Sequence, residues 1–310
     1  MADIVITEFL DEEALAAVPA TFSVLYDPKL VDRPEDLMRE AAAARALVVR
    51  NRTQVRGPLL AAASRLQVVG RLGVGLDNID VAACAARNIA VCPATGSNDV
   101  SVAEWVIASA LVLLRGAYHA TPEVIAGAWP RNRLMGREVS GRIMGLVGFG
   151  AIAREVATRA RAMGMQVIAY DPFLPAGHAA WTLASQRQLD GLIAEADVVS
   201  LHVPLTDDTR NLMSAERLAA MRPGAILLNA ARGGVVDEVA LAVALKAGRL
   251  GGAALDVFAT EPLPASAATH FDGCPNLILT PHIAGVTQES NVRASHMTIA
   301  NVLAVLETTP

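Results

Sequence analysis

The stretch that most constrains this chain runs from Arg142 to Asp171, RIMGLVGFGAIAREVATRARAMGMQVIAYD. Ile143 to Val147 is a short apolar strand, Gly148-Phe149-Gly150-Ala151-Ile152-Ala153 turns tightly into a helix, and Met165 to Tyr170 is a second strand ending on an acid. This is one βαβ unit, and the G-x-G-x-x-A at its turn is a dinucleotide-binding fingerprint. Gly148 permits the sharp turn, Gly150 has no β-carbon to obstruct a pyrophosphate, and Ala153 lets the helix lie close on the sheet. The helix N-terminus then offers N–H groups to phosphates. Asp171 stands about twenty residues past Gly150, where a carboxylate accepts both ribose hydroxyls of adenosine. A 2′-phosphate would meet that negative charge, and Pro172-Phe173 supplies no arginine for it. The stretch therefore predicts NAD, not NADP, as the cofactor.

A chain of 310 residues is long for one core, so two domains are expected. The apolar fraction of 53% with 18% charged residues describes an α/β protein with large cores. With a net charge of −5 and no run of Lys or Arg, binding to nucleic acid or an anionic membrane has no electrostatic support. Cys84, Cys92 and Cys274 form no C-x-x-C and no ligand spacing, so reduced thiols and no metal are expected. The acidic start MADIVITEFLDEE marks no export, and the longest apolar stretch, Trp105 to Leu114, is too short to cross a membrane. A cytoplasmic protein is the expectation.

Before the fingerprint, short β-rich runs alternate with alanine-rich helical stretches: Ile4 to Thr7, Phe22 to Tyr26, Ala46 to Val49, Gln67 to Gly70 and Ala90 to Val91. After it come Val198 to Val203, Ala225 to Asn229, Ala253 to Val257 and Leu277 to Leu279. Such alternation means parallel sheets covered on both faces, an α/β fold with two doubly wound sheets. Pro93 to Asn98 is a cluster of turn formers, and Ser101-x-x-Glu104 reads as a capping box that starts a helix reaching Leu114. That helix is apolar nearly all round and must be buried, by crossing between domains or into a partner subunit. A last helix spans Thr287 to Leu306, with Val292, Ile299, Leu303 and Leu306 on one stripe.

Three polar residues follow strands of the second sheet, where open α/β sheets place ligands. Arg232, in Asn229-Ala230-Ala231-Arg232-Gly233-Gly234, has a fork of donors suited to a carboxylate and an adjacent carbonyl oxygen. Glu261 follows Phe258-Ala259-Thr260, and His282 opens His282-Ile283-Ala284-Gly285. A carboxylate orients an imidazole and favours its protonated form, so a His held by a Glu suits general acid/base work. Taken singly, an arginine can cap a helix, a glutamate can be a solvated loop acid, and a lone histidine is more often structural. Their joint position beside a nicotinamide site points to catalysis.

The strings GLVGFGAIA with Asp171, NAARGGVVDE from Asn229, ALDVFATEP from Ala254, and PHIAG together resemble the D-2-hydroxyacid dehydrogenase family across essentially the whole chain. The resemblance implies Arg232, Glu261 and His282 as the catalytic set. It implies NAD contacts at Val74, Gly148, Gly150, Ala151, Ile152, Asp171, His202, Val203, Pro204, Ala230, Ala231, Arg232, Asp256, His282, Ala284 and Gly285. It also implies a Rossmann NAD domain, residues 100–285, inserted into a flavodoxin-like substrate domain of residues 1–99 and 286–310. A homodimer built largely from the Asp99 to Arg115 region is implied as well.

The substrate implied is a small 2-hydroxy or 2-oxo acid, with Arg232 and His282 touching it. Gly73-Val74-Gly75 offers backbone N–H groups to its carboxylate, although an ordinary turn reads the same way, and Asn98 is a further candidate contact. Arg50, Arg52 and Arg71 follow strands, while Arg131 and Arg133 follow Trp129. Surface arginines on loops are the plain account; a second anion on C3 of the substrate is the sharper one. RNRTQV, VVGRLG and the arginines after Trp129 resemble the substrate loops of 3-phosphoglycerate dehydrogenases, and the chain also resembles the (S)-sulfolactate dehydrogenases of the same family. Sulfolactate is thus the first expectation, phosphoglycerate the second, and hydroxypyruvate or glyoxylate reduction the third. A member of this fold acting as an NAD-sensing corepressor is the reading from another class.

Overall fold

The computed structural model describes residues 2–308, and the chain divides into two compact units. The first takes in the chain as far as Asn98 and returns from Val286 onward; the second is Asp99–Gly285.

In the first unit five parallel strands, β1 (Ile4–Ile6), β2 (Val24–Tyr26), β3 (Ala46–Val49), β4 (Val68–Arg71) and β5 (Ala90–Pro93), lie in the order β2-β1-β3-β4-β5. That is the flavodoxin-like order. Every residue of β1 and β3 is buried, because both faces are covered. Leu47, Val49 and Val69 pack with Leu37, Leu59 and Leu60 of two short helices on one face. On the other, Ile4, Ile6, Val48 and Val68 meet Ile299, Val302 and Leu306 of the last helix, Gln288–Thr308. Burying each of those three side chains contributes about 1.5–3 kcal/mol. The helix comes so close that a β-carbon on Gly70 would lie 2.6 Å from Val302 Cγ2. Its start is set by reciprocal bonds, Ser290 N–H to Thr287 Oγ1 (3.1 Å) and Thr287 N–H to Ser290 Oγ (2.9 Å). Val292 is exposed, so the buried stripe runs through Ser295, Ile299, Val302 and Leu306 instead of starting at Val292.

The second unit has seven parallel strands, β6 (Ile143–Val147), β7 (Gln166–Tyr170), β8 (Ser185–Gln186), β9 (Val198–Leu201), β10 (Ile226–Asn229), β11 (Gly252–Leu255) and β12 (Leu277–Leu279). Their order is β12-β11-β10-β9-β6-β7-β8, so the chain moves outward from β6 in one direction and then from β9 in the other. The carboxyl ends of β6 and β9 therefore flank the switch point where such sheets take ligands. Two-residue β8 is exposed and polar, and no apolar alternation announces it. β9 ends at Leu201, not Val203, and β11 ends at Leu255, not Val257. In both places the backbone leaves the ladder to form a rim loop.

The helix Asp99–Arg115 begins two residues before the expected capping box, which places Ser101 inside its first turn and buries it. Glu104 instead faces Arg159, 3.9 Å away. The helix buries Ala103, Val106, Ala110, Leu113 and Leu114 against the unit's own core, beside Val156 and Ala160 of helix Ala151–Ala162. Much of its apolar girth is used within this unit, while Val100 and Leu111 stay exposed. Among the described residues no helix is long and apolar enough to cross a membrane.

Candidate active site

The candidate cofactor residues of the second unit lie along one rim, each just past the carboxyl end of a strand or opening the helix that follows. Gly148 follows β6, Asp171 follows β7, and His202, Val203 and Pro204 follow β9. Ala230, Ala231 and Arg232 follow β10, Asp256 follows β11, and His282, Ala284 and Gly285 follow β12. Val74, Gly73 and Gly75 belong to the first unit, in the loop after β4.

Gly148 has φ +87°, and a β-carbon there would lie 2.4 Å from the carbonyl oxygen of His202, so glycine is demanded twice over. Gly150 differs: a β-carbon there would project into open space. The protein does not need its bareness for packing, which fits the close approach of a ligand. Gly150 is also the N-cap of helix Ala151–Ala162, and no side chain caps that end. Its first-turn N–H groups at Ala151 and Ile152 suit a pyrophosphate. Asp171 accepts the N–H of Phe149 (2.9 Å) on one oxygen and that of Phe173 (2.9 Å) on the other, which fixes its carboxylate beside the glycine turn. These features fit NAD.

His202 sits beside the same turn, its N–H donating to Val147 O at 2.7 Å. Its Nε2 is 2.9 Å from Ser200 Oγ, and desolvation pushes the ring's pKa down to about 4, so it is neutral at physiological pH.

Arg232 is carried by a loop held from within. Asn229, almost fully buried, accepts the N–H of Ala231 (3.0 Å) and donates to the carbonyl of Arg232 (3.0 Å). A β-carbon on Gly233 would lie 1.7 Å from Phe258 O, so this loop rests directly on the segment leading to Glu261. That contact explains the glycine without appeal to φ.

Glu261 and His282 meet. His282 Nδ1 lies 2.7 Å from Glu261 Oε2, and Glu261 Oε1 accepts the N–H of Phe258 at 2.9 Å. An ionised carboxylate can only accept, so Nδ1–H is the donor and Nε2 is the ring nitrogen left to gain or lose a proton. The Glu261 hydrogen bond raises the His282 pKa above its ordinary 6.5, against the opposing effect of burial. Burial alone would raise Glu261, yet its bonds to His282 and the Phe258 N–H, with the charges of His282 and Arg232, leave it lowered. The Arg232 charge is thus felt by both partners, favouring ionised Glu261 and opposing protonated His282.

The backbone beneath His282 is held by Asp256, a carboxylate only 1% exposed. Asp256 accepts the N–H groups of Ile283 (2.8 Å) and Ala284 (2.9 Å) and the hydroxyl of Thr280 (2.5 Å), while its carbonyl accepts the His282 N–H (2.8 Å). His282 has φ +55°, a left-handed conformation that costs a residue other than glycine about 1–3 kcal/mol. Three bonds to a buried charge offset that cost.

The candidate substrate arginines are spread over both units. In the first, Arg50 Nη2 donates to Asn291 Oδ1 (2.9 Å), Arg52 is paired with Asp32, and Arg71 donates to the carbonyl of Leu72. Asn98 ends that unit's first segment. In the second, Arg133 pairs with Glu123, and Arg131 lies in the same exposed loop after Trp129. Among the described residues Asp11, Glu13 and His296 bring potential ligand atoms within 4.8 Å of one another, and two of the three are exposed. Sequence reasoning passed over Asn229, Glu8 and Asn291, since a residue that holds a loop by backbone bonds has no motif.

The family model for the D-isomer specific 2-hydroxyacid dehydrogenase, NAD binding domain, matches residues 107–284. The chain is 55% identical over 307 residues to an (S)-sulfolactate dehydrogenase of Chromohalobacter salexigens, covering 99% of each protein. It is 41% identical over 250 residues to a D-3-phosphoglycerate dehydrogenase of Synechocystis, covering 81% of this chain but 45% of that longer protein. A solved structure of the D-lactate dehydrogenase of Aquifex aeolicus, complexed with NAD and lactic acid, superposes with a TM-score of 0.84 at 29% identity. That match covers 98% of this chain and 95% of the other. With the fingerprint turn, the parallel rim and the near-complete match to named relatives in agreement, the chain belongs to the D-isomer specific 2-hydroxyacid dehydrogenases, NAD-dependent oxidoreductases of small hydroxy acids.

Proposed function

We propose that the enzyme interconverts (S)-3-sulfolactate and 3-sulfopyruvate, with the second unit binding NAD and the first binding substrate. The observation that carries the choice of substrate is Arg50, whose largely desolvated guanidinium has the neutral amide of Asn291 as its hydrogen-bond partner. A half-buried guanidinium with no direct ion pair, its charge met only by the nearby Glu8 carboxylate that the loop backbone already engages, favours an anionic ligand, and a three-carbon hydroxy acid calls for a second cation only if its C3 carries an anion. The 55% identical relative bears the name of that activity. Phosphoglycerate is the second reading, favoured by the 41% identical relative.

The chemistry follows from the residues. Arg232 receives the substrate carboxylate and polarises the C2 oxygen through its planar fork of donors. In oxidation His282 Nε2 takes the hydroxyl proton; in reduction protonated His282 returns it. Glu261, ionised, holds the ring and stabilises its cation in both directions. NAD supplies the hydride acceptor, and NADH the donor, at C2. Glycines 73 and 75 flank Val74 in a loop whose N–H groups suit the same carboxylate.

The reading extends to a cytoplasmic homodimer. It is supported by the free thiols of Cys84, Cys92 and Cys274 and by exposed Tyr118, Ile125, Trp129 and Met135.

Initial rates on sulfolactate, phosphoglycerate, glycerate and D-lactate, followed by NADH absorbance, test the substrate. Sulfolactate is expected to have the highest kcat/KM, and Arg50→Ala is expected to cut it by about 10- to 100-fold, the loss of one charged hydrogen-bonded contact. A parent enzyme that prefers the acids with an uncharged C3 would overturn the proposal.

A further inference from the structure

The loop that carries Arg50 is built around a buried acid. Glu8, 4% exposed, follows β1, and its carboxylate accepts three backbone N–H groups from the loop after β3. Oε1 takes those of Arg50 (2.9 Å) and Thr53 (3.0 Å), and Oε2 takes that of Arg52 (3.1 Å). From the other side buried Asn78 donates to the carbonyls of Arg50 (3.1 Å) and Thr53 (2.7 Å). Thr53 Oγ1 lies 2.8 Å from Thr7 Oγ1, which closes the cage.

Among the described residues Glu8 forms no direct ion pair; its oxygens are taken by backbone N–H groups, and its charge is felt by Arg50 and Arg52 only through space. The Arg50 side chain leaves the cage with its guanidinium 5.9 Å over the Phe9 ring and its Nη2 on Asn291. Among the described residues no carboxylate forms an ion pair with it. Arg52, from the same loop, is already matched by Asp32. One loop thus presents two arginines, one met by a carboxylate and the other by an amide.

We infer that Glu8 is a positioning residue for specificity: by gathering the N–H groups of Arg50, Arg52 and Thr53 it aims the Arg50 guanidinium at the anionic group on C3 of the substrate. Asn291 steadies the far end of the same side chain. The inference rests on the second-anion reading of Arg50 given above.

The test measures kcat and KM for sulfolactate and D-lactate in the parent, Glu8→Gln, Arg50→Ala and the double variant, all at saturating NAD. In Glu8→Gln an amide N–H replaces one acceptor and opposes a backbone donor, so the loop loosens while its shape is nearly kept. The sulfolactate-to-lactate ratio of kcat/KM is expected to fall about 10-fold in Glu8→Gln, mainly through KM for sulfolactate, and about 100-fold in Arg50→Ala. The double variant is expected to be no worse than Arg50→Ala, because Glu8 acts through Arg50.

A Glu8→Gln enzyme that loses both substrates equally, or a double variant in which the two losses multiply, overturns the role of Glu8 and leaves the second anion standing. An unchanged ratio in Arg50→Ala overturns the second anion itself, and the role of Glu8 with it. Should Glu8→Gln fail to fold, Asn291→Ala takes its place: a fall of a few-fold in the same ratio supports the inference, and no fall overturns it.

Discussion

Each unit ends its central strands in a loop stapled by a buried acid, and the two staples serve different ends. In the second unit Asp256 gathers Thr280, Ile283 and Ala284 and so presents His282. In the first, Glu8 gathers Arg50, Arg52 and Thr53 and so presents Arg50. The presented groups are then treated oppositely. His282 has a carboxylate, Glu261, at 2.7 Å, whereas Arg50 has an amide, Asn291, at 2.9 Å. On the proposed reading, the group whose charge comes and goes with each turnover has a counter-charge that favours its charged state. On the same reading, a group whose permanent charge attracts a ligand's anion has a neutral hydrogen-bond partner and no direct ion pair, with the Glu8 charge acting on it only from a distance.

That contrast can be broken most severely at the titrating end. His282→Ala is expected to lower kcat by about 100- to 10,000-fold, the usual worth of a positioned general acid/base. NADH absorbance would follow it, and NAD binding measured by fluorescence should persist because the glycine turn is untouched. A loss below 10-fold would remove His282 from the proton transfer.

A smaller effect is expected when the counter-charge is removed and the ring kept. The pKa of His282 is raised above 6.5 chiefly by Glu261, so reduction, which needs the protonated ring, should fall as pH rises through that raised value. Oxidation, which needs the neutral ring, should rise over the same interval. Glu261→Gln withdraws the cause, and the midpoint in log kcat/KM against pH should move down, toward 6.5 or below. The sign for stability is the same. A raised pKa stabilises the folded state below pH 6.5 and loses that contribution as pH climbs through the folded value. A midpoint that stays put would mean that Glu261 does not set it.

The smallest effect is expected at the matched arginine. Arg52 and Asp32 pair at the surface, with side chains 58% and 50% exposed. Arg52→Ala is therefore expected to change stability by less than about 1 kcal/mol in a denaturant melt. Its KM for sulfolactate should move far less than that of Arg50→Ala, and an equal effect would erase the distinction between the two arginines.

Much of this fold was legible from pattern. Strands buried on both faces read as unbroken apolar runs, which is why β3, β6 and β10 fall where β-rich segments are expected to within a residue. Exposed β8, Ser185–Gln186, has no such signal. Helix Asp99–Arg115 starts ahead of its Ser-x-x-Glu because that is a local rule, and here Ser101 is buried and Glu104 lies 3.9 Å from Arg159. Of the candidate site, the fingerprint glycines, Asp171, Arg232, Glu261 and His282 could be named because their chemistry depends on residue type and on position just after a strand.

What the sequence determined by itself is therefore the alternation of buried strands with helices, the glycine turn of the fingerprint, where Gly148 has to be bare, and the residue types available for proton transfer and anion binding. These follow from local sterics and from side-chain chemistry, which need no knowledge of the rest of the chain. What only the tertiary structure decided is which acid goes with which loop. Glu8 reaches Arg50 across 42 positions, and Arg50 reaches Asn291 across 241. Such bonds run to backbone N–H groups, which every residue but proline carries, or to an amide brought near by the last helix. No residue pattern records them, and they exist only once the parallel sheet has set its strand ends side by side.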